Sequence, residues 1–408
     1  MADSYNIYDI AEKILAAIQQ ERDGMTHMNI MIMGKTGSGK STLINNMFNE
    51  KLADTGIGKP VTQAIRQYSK EGFPLTIYDT PGLELGGENA ITELLKDATD
   101  CIKKGVKSGK MDDAIHCILY CVNAGTHRFE DAERDFIKKF LSENQAFNIP
   151  VIVVITQAVS KKDAQALKSA IEAENMDIVQ VVPVLAQDYE FSDEITIPAY
   201  GLDTLAEMIY LVIPEALQKT FVAVQKADIK LKTQKAQAIV VANAAGAAGV
   251  GAVPIPFADS FVLIPQQVGM LGAITAAYGL SLDKTTIVSL VSGVLGIVGT
   301  TIIGKTAVSG ILKLIPGAGS VAGGVVSGGV AAALTAALGE AYIGVMTKIA
   351  KGELKVDELG TAKGQEWIKD LFRERLKLKR NDKGVLLDKK DELVVDDDLP
   401  VAEEIKND

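Results

Sequence analysis

The stretch Gly34-Lys35-Thr36-Gly37-Ser38-Gly39-Lys40-Ser41 decides the fold. It follows the pattern G-x-x-x-x-G-K-[ST] of a phosphate-binding loop. Met28 to Met33 before it reads as a short buried strand, and Thr42 to Phe48 after it as a helix. Strand, glycine loop and helix together are the setting that the motif requires. Glycines let backbone N–H groups turn around phosphate oxygens with no Cβ in the way, and the helix N-terminus adds its positive end. Gly34, Lys35, Thr36, Gly37, Ser38, Gly39, Lys40, Ser41 and Thr42 are therefore the candidate phosphate-binding residues. In this pattern Lys40 reaches the β- and γ-phosphates, and Ser41 is placed to ligate Mg2+.

Moving outward, Leu52 to Val61 is rich in Gly, Thr and Pro and reads as a loop. Thr62 follows it, just before an apparent strand at Ala64 to Tyr68. Its hydroxyl suits Mg2+ and its N–H the γ-phosphate; Thr55 competes for that role. Leu75 to Tyr78 is a strand ending in Asp79-Thr80-Pro81-Gly82. A D-x-x-G at a strand end places the aspartate near Mg2+ and the glycine N–H at the γ-phosphate. Lys40, Thr62 and Gly82 are thus the catalytic candidates, and Ser41, Thr62 and Asp79 the metal candidates.

From about Met28 to Gln218 the chain resembles a small GTPase domain of the Era-like and septin-like superfamily. The phosphate loop GKTGSGKSTLIN, the Pro60-Val61-Thr62 spelling and Asp79-Thr80-Pro81-Gly82-Leu83 carry the resemblance. It implies GTP or GDP with Mg2+. Leu83 stands where Ras-like enzymes keep the glutamine that orients water. Gly37 stands where many Era-like relatives carry an asparagine that helps to bind potassium. The base-reading segment [NT]-K-x-D is matched by Thr156-Gln157-Ala158-Val159 at the end of the apolar strand Pro150 to Ile155. Thr156 fits, Gln157 can cover the base with its stem, and the guanine-reading aspartate is replaced by Val159. Ala186, after the strand Ile178 to Val184, matches the alanine whose N–H meets guanine O6. Arg128, on the exit loop of the apolar strand Ala114 to Val122, is a weaker candidate for charge stabilisation in cis. His116 on that strand reads as a core or edge residue. Gly201 to Gln218 reads as a closing helix.

The 408 residues suffice for two or three domains, and a net charge of −10 argues against a general nucleic-acid-binding surface. Cys101, Cys117 and Cys121 are too few and too irregular for a disulfide framework, which suits a reducing cytosol. Ile7, Ile10, Ile14, Leu15 and Ile18 line one side of an N-terminal amphipathic helix.

Between Ala236 and Thr347 the only charged residues are Asp259, Asp283, Lys284, Lys305, Lys313 and Glu340. A repeat at an offset of 60 (316 − 256) relates Val253–Ser260 to Lys313–Ser320, and Gly272–Gly279 to Ala332–Gly339. Two similar helical units are implied, each opened by an Ile-Pro turn. The uncharged runs Thr285–Gly304 and Leu314–Gly339 have the length to cross a bilayer, whereas sparse Leu and Phe and absent aromatic belts fit a compact Gly/Ala bundle. Membrane association, spanning or peripheral and at the inner face, is the favoured reading. Gln365 to Arg380 reads as a basic amphipathic helix that either touches anionic lipid or packs on the bundle.

The expected fold is α/β: a P-loop GTPase domain with a mostly parallel sheet wound by helices on both faces, plus a C-terminal all-α Gly/Ala-rich domain. The expected boundaries are 1–27 for the amphipathic helix, 28–218 for the GTPase domain, 219–350 for the apolar helical domain, and 351–408 for a charged helix and acidic tail. The layout resembles bacterial proteins that join an Era-like domain to such a helical domain. The expected function is slow, Mg2+-dependent GTP hydrolysis in a nucleotide-controlled switch whose helical domain docks a membrane or protein partner, and the resemblance to related GTPases adds pairing of two GTPase domains across the nucleotide. The alternative is a nucleotide-dependent assembly or scaffold module with little or no hydrolysis.

Overall fold

The computed structural model describes residues 7–50, 52, 59–60, 65–81, 88–126, 129–249, 265–294 and 328–375. Seven strands form one sheet: β1 (Met28–Gly34), β2 (Lys59–Pro60), β3 (Arg66–Lys70), β4 (Phe73–Asp79), β5 (Cys117–Asn123), β6 (Val151–Thr156) and β7 (Gln180–Pro183). Their order is β2-β3-β4-β1-β5-β6-β7. β4, β1, β5, β6 and β7 run parallel, while β3 is antiparallel to both of its neighbours. This is a mainly parallel α/β sheet with one antiparallel edge.

All seven residues of β1 are buried. Because a strand alternates its side chains, each face needs its own apolar cover. Met28, Ile30 and Ile32 face α2 (Lys40–Met47), α6 (Leu202–Val212) and α7 (Glu215–Val224). Met31 and Met33 face α3 (Glu88–Ser108), α4 (Asp131–Asn144) and α5 (Lys161–Glu172). β1 therefore lies at the centre of the sheet and delivers the glycine loop to its C-terminal edge, where open α/β sheets bind ligands.

Two features of this domain differ from the expected outline. The closing segment is two helices, because Pro214 interrupts the pattern and caps α7. A two-stranded hairpin, β8 (Tyr189–Ser192) with β9 (Ile195–Ile197), follows the Ala186 segment and exposes Tyr189, Phe191 and Ile195.

A second core is entirely helical. It contains α8 (Ile229–Gly249), α9 (Pro265–Tyr278), α10 (Lys284–Val294), α11 (Gly328–Ala350) and α12 (Ala362–Arg375), together with the N-terminal α1 (Ile7–Asp23). Ile7, Ile10, Ala11, Ile14 and Ile18 are buried in it. The amphipathic helix that the sequence sets apart thus packs into the helical body, and the chain passes through that body before and after the sheet. The two matching octapeptides lie in α9 and α11 and then diverge. Gly279 ends its helix at φ +68°, while Gly339 sits within α11, where a Cβ would stand 2.4 Å from Val240 Cγ2. The Ile-Pro turns lie outside the described residues.

The described parts of the two uncharged runs belong to α10 and α11, with Ile287, Leu290, Ala337 and Leu338 in the core. No helix among the described residues is long and apolar enough to cross a membrane. α12 packs on the body through Ile368, Trp367 and Leu371, and Lys348 lies 5.5 Å from the Trp367 ring centre.

Candidate nucleotide site

The three loop glycines answer different constraints. Gly34 has φ +138°, and a Cβ there would come within 2.4 Å of Cys121 O, so glycine is what lets β1 lie against β5. Gly37 has φ +75° with open space around it. Gly39, at φ +80°, is the N-cap of α2. Both adopt a left-handed backbone that other residues resist. The turn they make sends Lys40 inward. Its side chain is buried, and Nζ donates to Gly34 O at 2.9 Å and Lys35 O at 3.2 Å. Ser41 stands exposed in the first turn of α2, next to half-buried Thr42. Thr36 and Gly37 form the exposed tip, and Ser38 Oγ is buried with no hydrogen-bond partner.

Lys35 fastens the loop to α4. Its ammonium lies 2.7 Å from Glu130 and 3.6 Å from Glu133. Burial pushes the Glu133 carboxyl up, and Lys35 opposes that shift. The sequence placed Lys35 in the motif without any sign of its partners, which stand at the start of another helix.

Asp79 ends β4 beside Ile32 of β1. Its Oδ1 is buried and lacks a hydrogen-bond partner. Burial pushes its pKa up, while the charges of Lys40 and Arg66 pull it down. A buried carboxylate oxygen that no protein donor satisfies is a hard oxygen ligand in waiting. With Ser41 at the adjoining helix start, the residues fit Mg2+, which binds through one or two protein oxygens plus substrate phosphate and water. Among the described residues no group of three or more His, Cys, Asp or Glu is placed to hold a metal ion. Thr62, Gly82, Leu83, Thr55 and Arg128 lie outside the described residues.

The third wall is built by β6. Thr156 is buried, and its hydroxyl lies 2.5 Å from Ser38 O and 3.1 Å from Val122 O, with one proton to donate between the two carbonyls. Gln157 takes a left-handed φ of 53°, and its Nε2 donates to Gly37 O at 2.8 Å. Asn123 Nδ2 reaches the same carbonyl at 3.4 Å. Gln157 is thus anchored to the loop by its amide, leaving its stem beside the loop. Ala158 N donates to Val184 O at 3.2 Å, and Tyr200 Oη donates to Ala158 O at 2.7 Å. Tyr200 also exchanges two backbone bonds with Leu185, the residue before half-buried Ala186. Tyr200 is a buttress that the motifs did not reveal. Its only signal is an aromatic residue shortly before the closing helix.

Loop, Asp79, Thr156-Gln157 and the Ala186 segment therefore meet at one edge of the sheet. The arrangement offers backbone donors and a buried cation to an anion, and a buried carboxylate to a hard cation.

Residues 29–157 match the family model described as 50S ribosome-binding GTPase, and residues 218–377 match a domain of unknown function, DUF697. GTPase Era of Vibrio cholerae is 30% identical over 169 residues, covering 40% of this chain and 47% of that protein. Human septin-9 is 25% identical over 169 residues, covering 36% of this chain and 28% of the septin. The chain spans about half or less of the length of these relatives. The crystal structure of Toc33 from Arabidopsis thaliana in complex with Mg2+ and GMPPNP aligns at a TM-score of 0.29 and 19% identity, over 52% of this chain and 91% of that one.

Proposed function

We propose that the protein binds GTP and hydrolyses it slowly to GDP and phosphate with Mg2+, as a nucleotide-controlled switch whose helical body docks a membrane or a protein partner. One observation carries the reading. A buried lysine and a buried, unpartnered aspartate oxygen face each other across a glycine loop at a helix N-terminus. Such a site is complementary to a polyphosphate with a divalent cation, and to neither alone. Bound Mg2+ would neutralise charge on the phosphates, with Ser41 and Asp79 holding it. Lys40 and the loop amides bind and orient the phosphates. The guanine preference rests on Thr156, Gln157 and Ala186 without an aspartate at 159, so we expect it to be modest.

Slow turnover follows from Leu83 in the position of a water-orienting residue. Pairing of two GTPase domains across the nucleotide would complete the site, and we expect the triphosphate state to self-associate more than the diphosphate state. Lys40→Ala should lower triphosphate affinity by roughly 100-fold, about 3 kcal/mol, because phosphate charge loses its buried partner. Binding by titration calorimetry and turnover across a range of protein concentrations test this. Unchanged affinity in the variant would remove the assignment of the loop. Binding without turnover at any concentration would favour the scaffold reading. The docking proposal draws on the nearly uncharged stretch from Ala236 to Thr347. Fractionation of cells into cytosol and membrane, with and without a non-hydrolysable GTP analogue, checks it and the inner-face location.

A further inference from the structure

Lys232, at the end of the first turn of α8, is 1% exposed, and its ammonium is held entirely by backbone. Nζ donates to Val222 O (2.5 Å) and Ala223 O (3.2 Å) at the end of α7, and to Ala277 O (3.1 Å) and Tyr278 O (3.0 Å) at the end of α9. Three N–H donors serve four acceptors. The last carbonyls of a helix have no partner within it and carry the negative end of its dipole. One ammonium therefore caps two helices, one on the sheet and one in the helical body. Burial pushes the Lys232 pKa down to about 7, and Asp228 opposes the shift.

The helix that follows the glycine loop ends at the same spot. Ala223 O also accepts from Asn49 Nδ2 at 2.7 Å. Asn49 N donates to Val224 O at 2.8 Å, and Lys226 N to Met47 O at 2.9 Å. Phe48 and Gln225 form an antiparallel bridge between these bonds. Gly279, at φ +68°, closes the junction: a Cβ there would stand 2.0 Å from Ala223 O and 2.4 Å from Asn49 Nδ2. The segment leading into β1 is tied as well. Thr26 O accepts from Thr220 Oγ1 at 2.7 Å, and Arg22 Nη2 donates to Leu280 O at 2.9 Å. Ala17 of α1 sits against Gly272 of α9, where a Cβ would come within 2.6 Å.

We infer that Lys232 is a positioning residue for the nucleotide site, the keystone through which phosphate occupancy and the helical body bias each other. The inference rests on the nucleotide site proposed above. α2 begins at Lys40 and has eight residues, about 12 Å of rigid helix. A phosphate that draws Lys40 Nζ from Gly34 O and Lys35 O acts on the first turn of α2. The far end of the same helix is bonded to Ala223, Val224 and Lys226, and Ala223 O is shared with Lys232. A shift of α2 therefore cannot leave the α7–α8 junction and the end of α9 unchanged. By linkage, whatever helical partner fixes α9 alters phosphate affinity by the same factor.

The test uses the full chain with Mg2+ and a non-hydrolysable GTP analogue. Amide hydrogen exchange is followed over 222–232 and 276–280, and analogue affinity is measured for wild type, Lys232→Met and Asn49→Ala. We expect the analogue to slow exchange in both segments of the wild type. Both variants should shrink that difference and weaken analogue binding by about five- to tenfold. A wild type that binds the analogue with no change of exchange at either segment overturns the inference and leaves the nucleotide site standing. A wild type that binds no analogue overturns the functional reading beneath it. Should Lys232→Met fail to fold, Asn49→Ala decides, since it leaves the Lys232 contacts in place: an unchanged affinity and exchange difference sinks the proposal.

Discussion

At position 34 glycine is needed for space and at position 37 only for backbone angle, and the difference can be measured. A Cβ on residue 34 would meet the backbone carbonyl of Cys121 at 2.4 Å and Ser38 Oγ at 2.9 Å, on a φ of +138°. Backbone cannot step aside as a flexible side chain can, so Gly34→Ala should part β1 from β5 and cost about 2–4 kcal/mol. Gly37→Ala meets nothing within 4 Å and bears only its left-handed φ. It should cost about 1 kcal/mol. Chemical denaturation of the two variants gives the order, and equal losses would show that space at Gly34 is not the constraint. Val159 raises a question of specificity at the same scale. Its neighbour Ala158 is held by Val184 and Tyr200, and Val159 N donates to Gln157 O at 2.8 Å, so the backbone at 159 is fixed next to Gln157. A carboxylate there supplies a paired acceptor that a guanine can satisfy and an adenine cannot. Val159→Asp should widen the preference for GTP over ATP by roughly tenfold or more, read by competition binding. An unchanged ratio would mean that residue 159 faces away from the base.

Among the elements, β1 and β5 show how a single acceptor makes pairing sensitive to acid. Asn29 N donates to His116 Nδ1 at 2.9 Å, which fixes that nitrogen as the acceptor, so Nε2 carries the proton and donates to Met111 O at 2.9 Å. Protonating Nδ1 would break the bond to Asn29. Burial lowers the pKa of His116, and that of His27 as well, below the ordinary 6.5. A histidine whose folded pKa is depressed binds fewer protons folded than unfolded. Its contribution is complete above the unfolded value and is lost as pH falls from 6.5 toward the folded pKa. The urea midpoint should therefore fall as the pH is lowered through 6.5, and His116→Gln should flatten that slope. An identical slope in the variant would assign the effect elsewhere. Elements such as these strands were legible because each is an apolar run bounded by turn residues, and a run buried on both faces leaves little choice of register. The loop was legible because its glycines, lysine and serine answer a chemical need at fixed spacing. What could not be read depends on distant partners. The pattern of α1 marks its apolar face but not α9 and α10, which cover it. Lys232 looks like any charged residue on a helix, since the four carbonyls around it come from two other helices. The hairpin β8–β9 alternates as strands do but is exposed on every residue of β8, so no buried face announced it.

For the whole molecule, the path of the chain sets where stability is held. If α1 were a separate appendage, trimming one of its side chains would change stability by about 0.5 kcal/mol or less, as at most surface sites. In the structure Ile14 is 0% exposed, within a core shared by α8, α9, α10, α11 and α12. Ile14→Ala removes buried methyl groups and leaves a cavity where close-packed helices cannot fully collapse, so it should cost about 2–4 kcal/mol. The chain supplies its own reporter, because its single tryptophan, Trp367, is partly buried against this same core. Urea unfolding followed by tryptophan fluorescence therefore reads the helical body, and a fluorescent nucleotide reads the sheet. Gln20→Ala, on the exposed side of the same helix, controls for helix propensity. The expected result is a large drop in the tryptophan midpoint for Ile14→Ala and almost none for Gln20→Ala. Equal midpoints for the two variants would return α1 to the status of an appendage. A drop confined to nucleotide release, with tryptophan unfolding unchanged, would mean that α1 serves β1 rather than the helical core. The combination expected from the packing is an early loss of the helical body followed by weakened nucleotide retention, since β1 leaves α1 only a few residues before it enters the sheet.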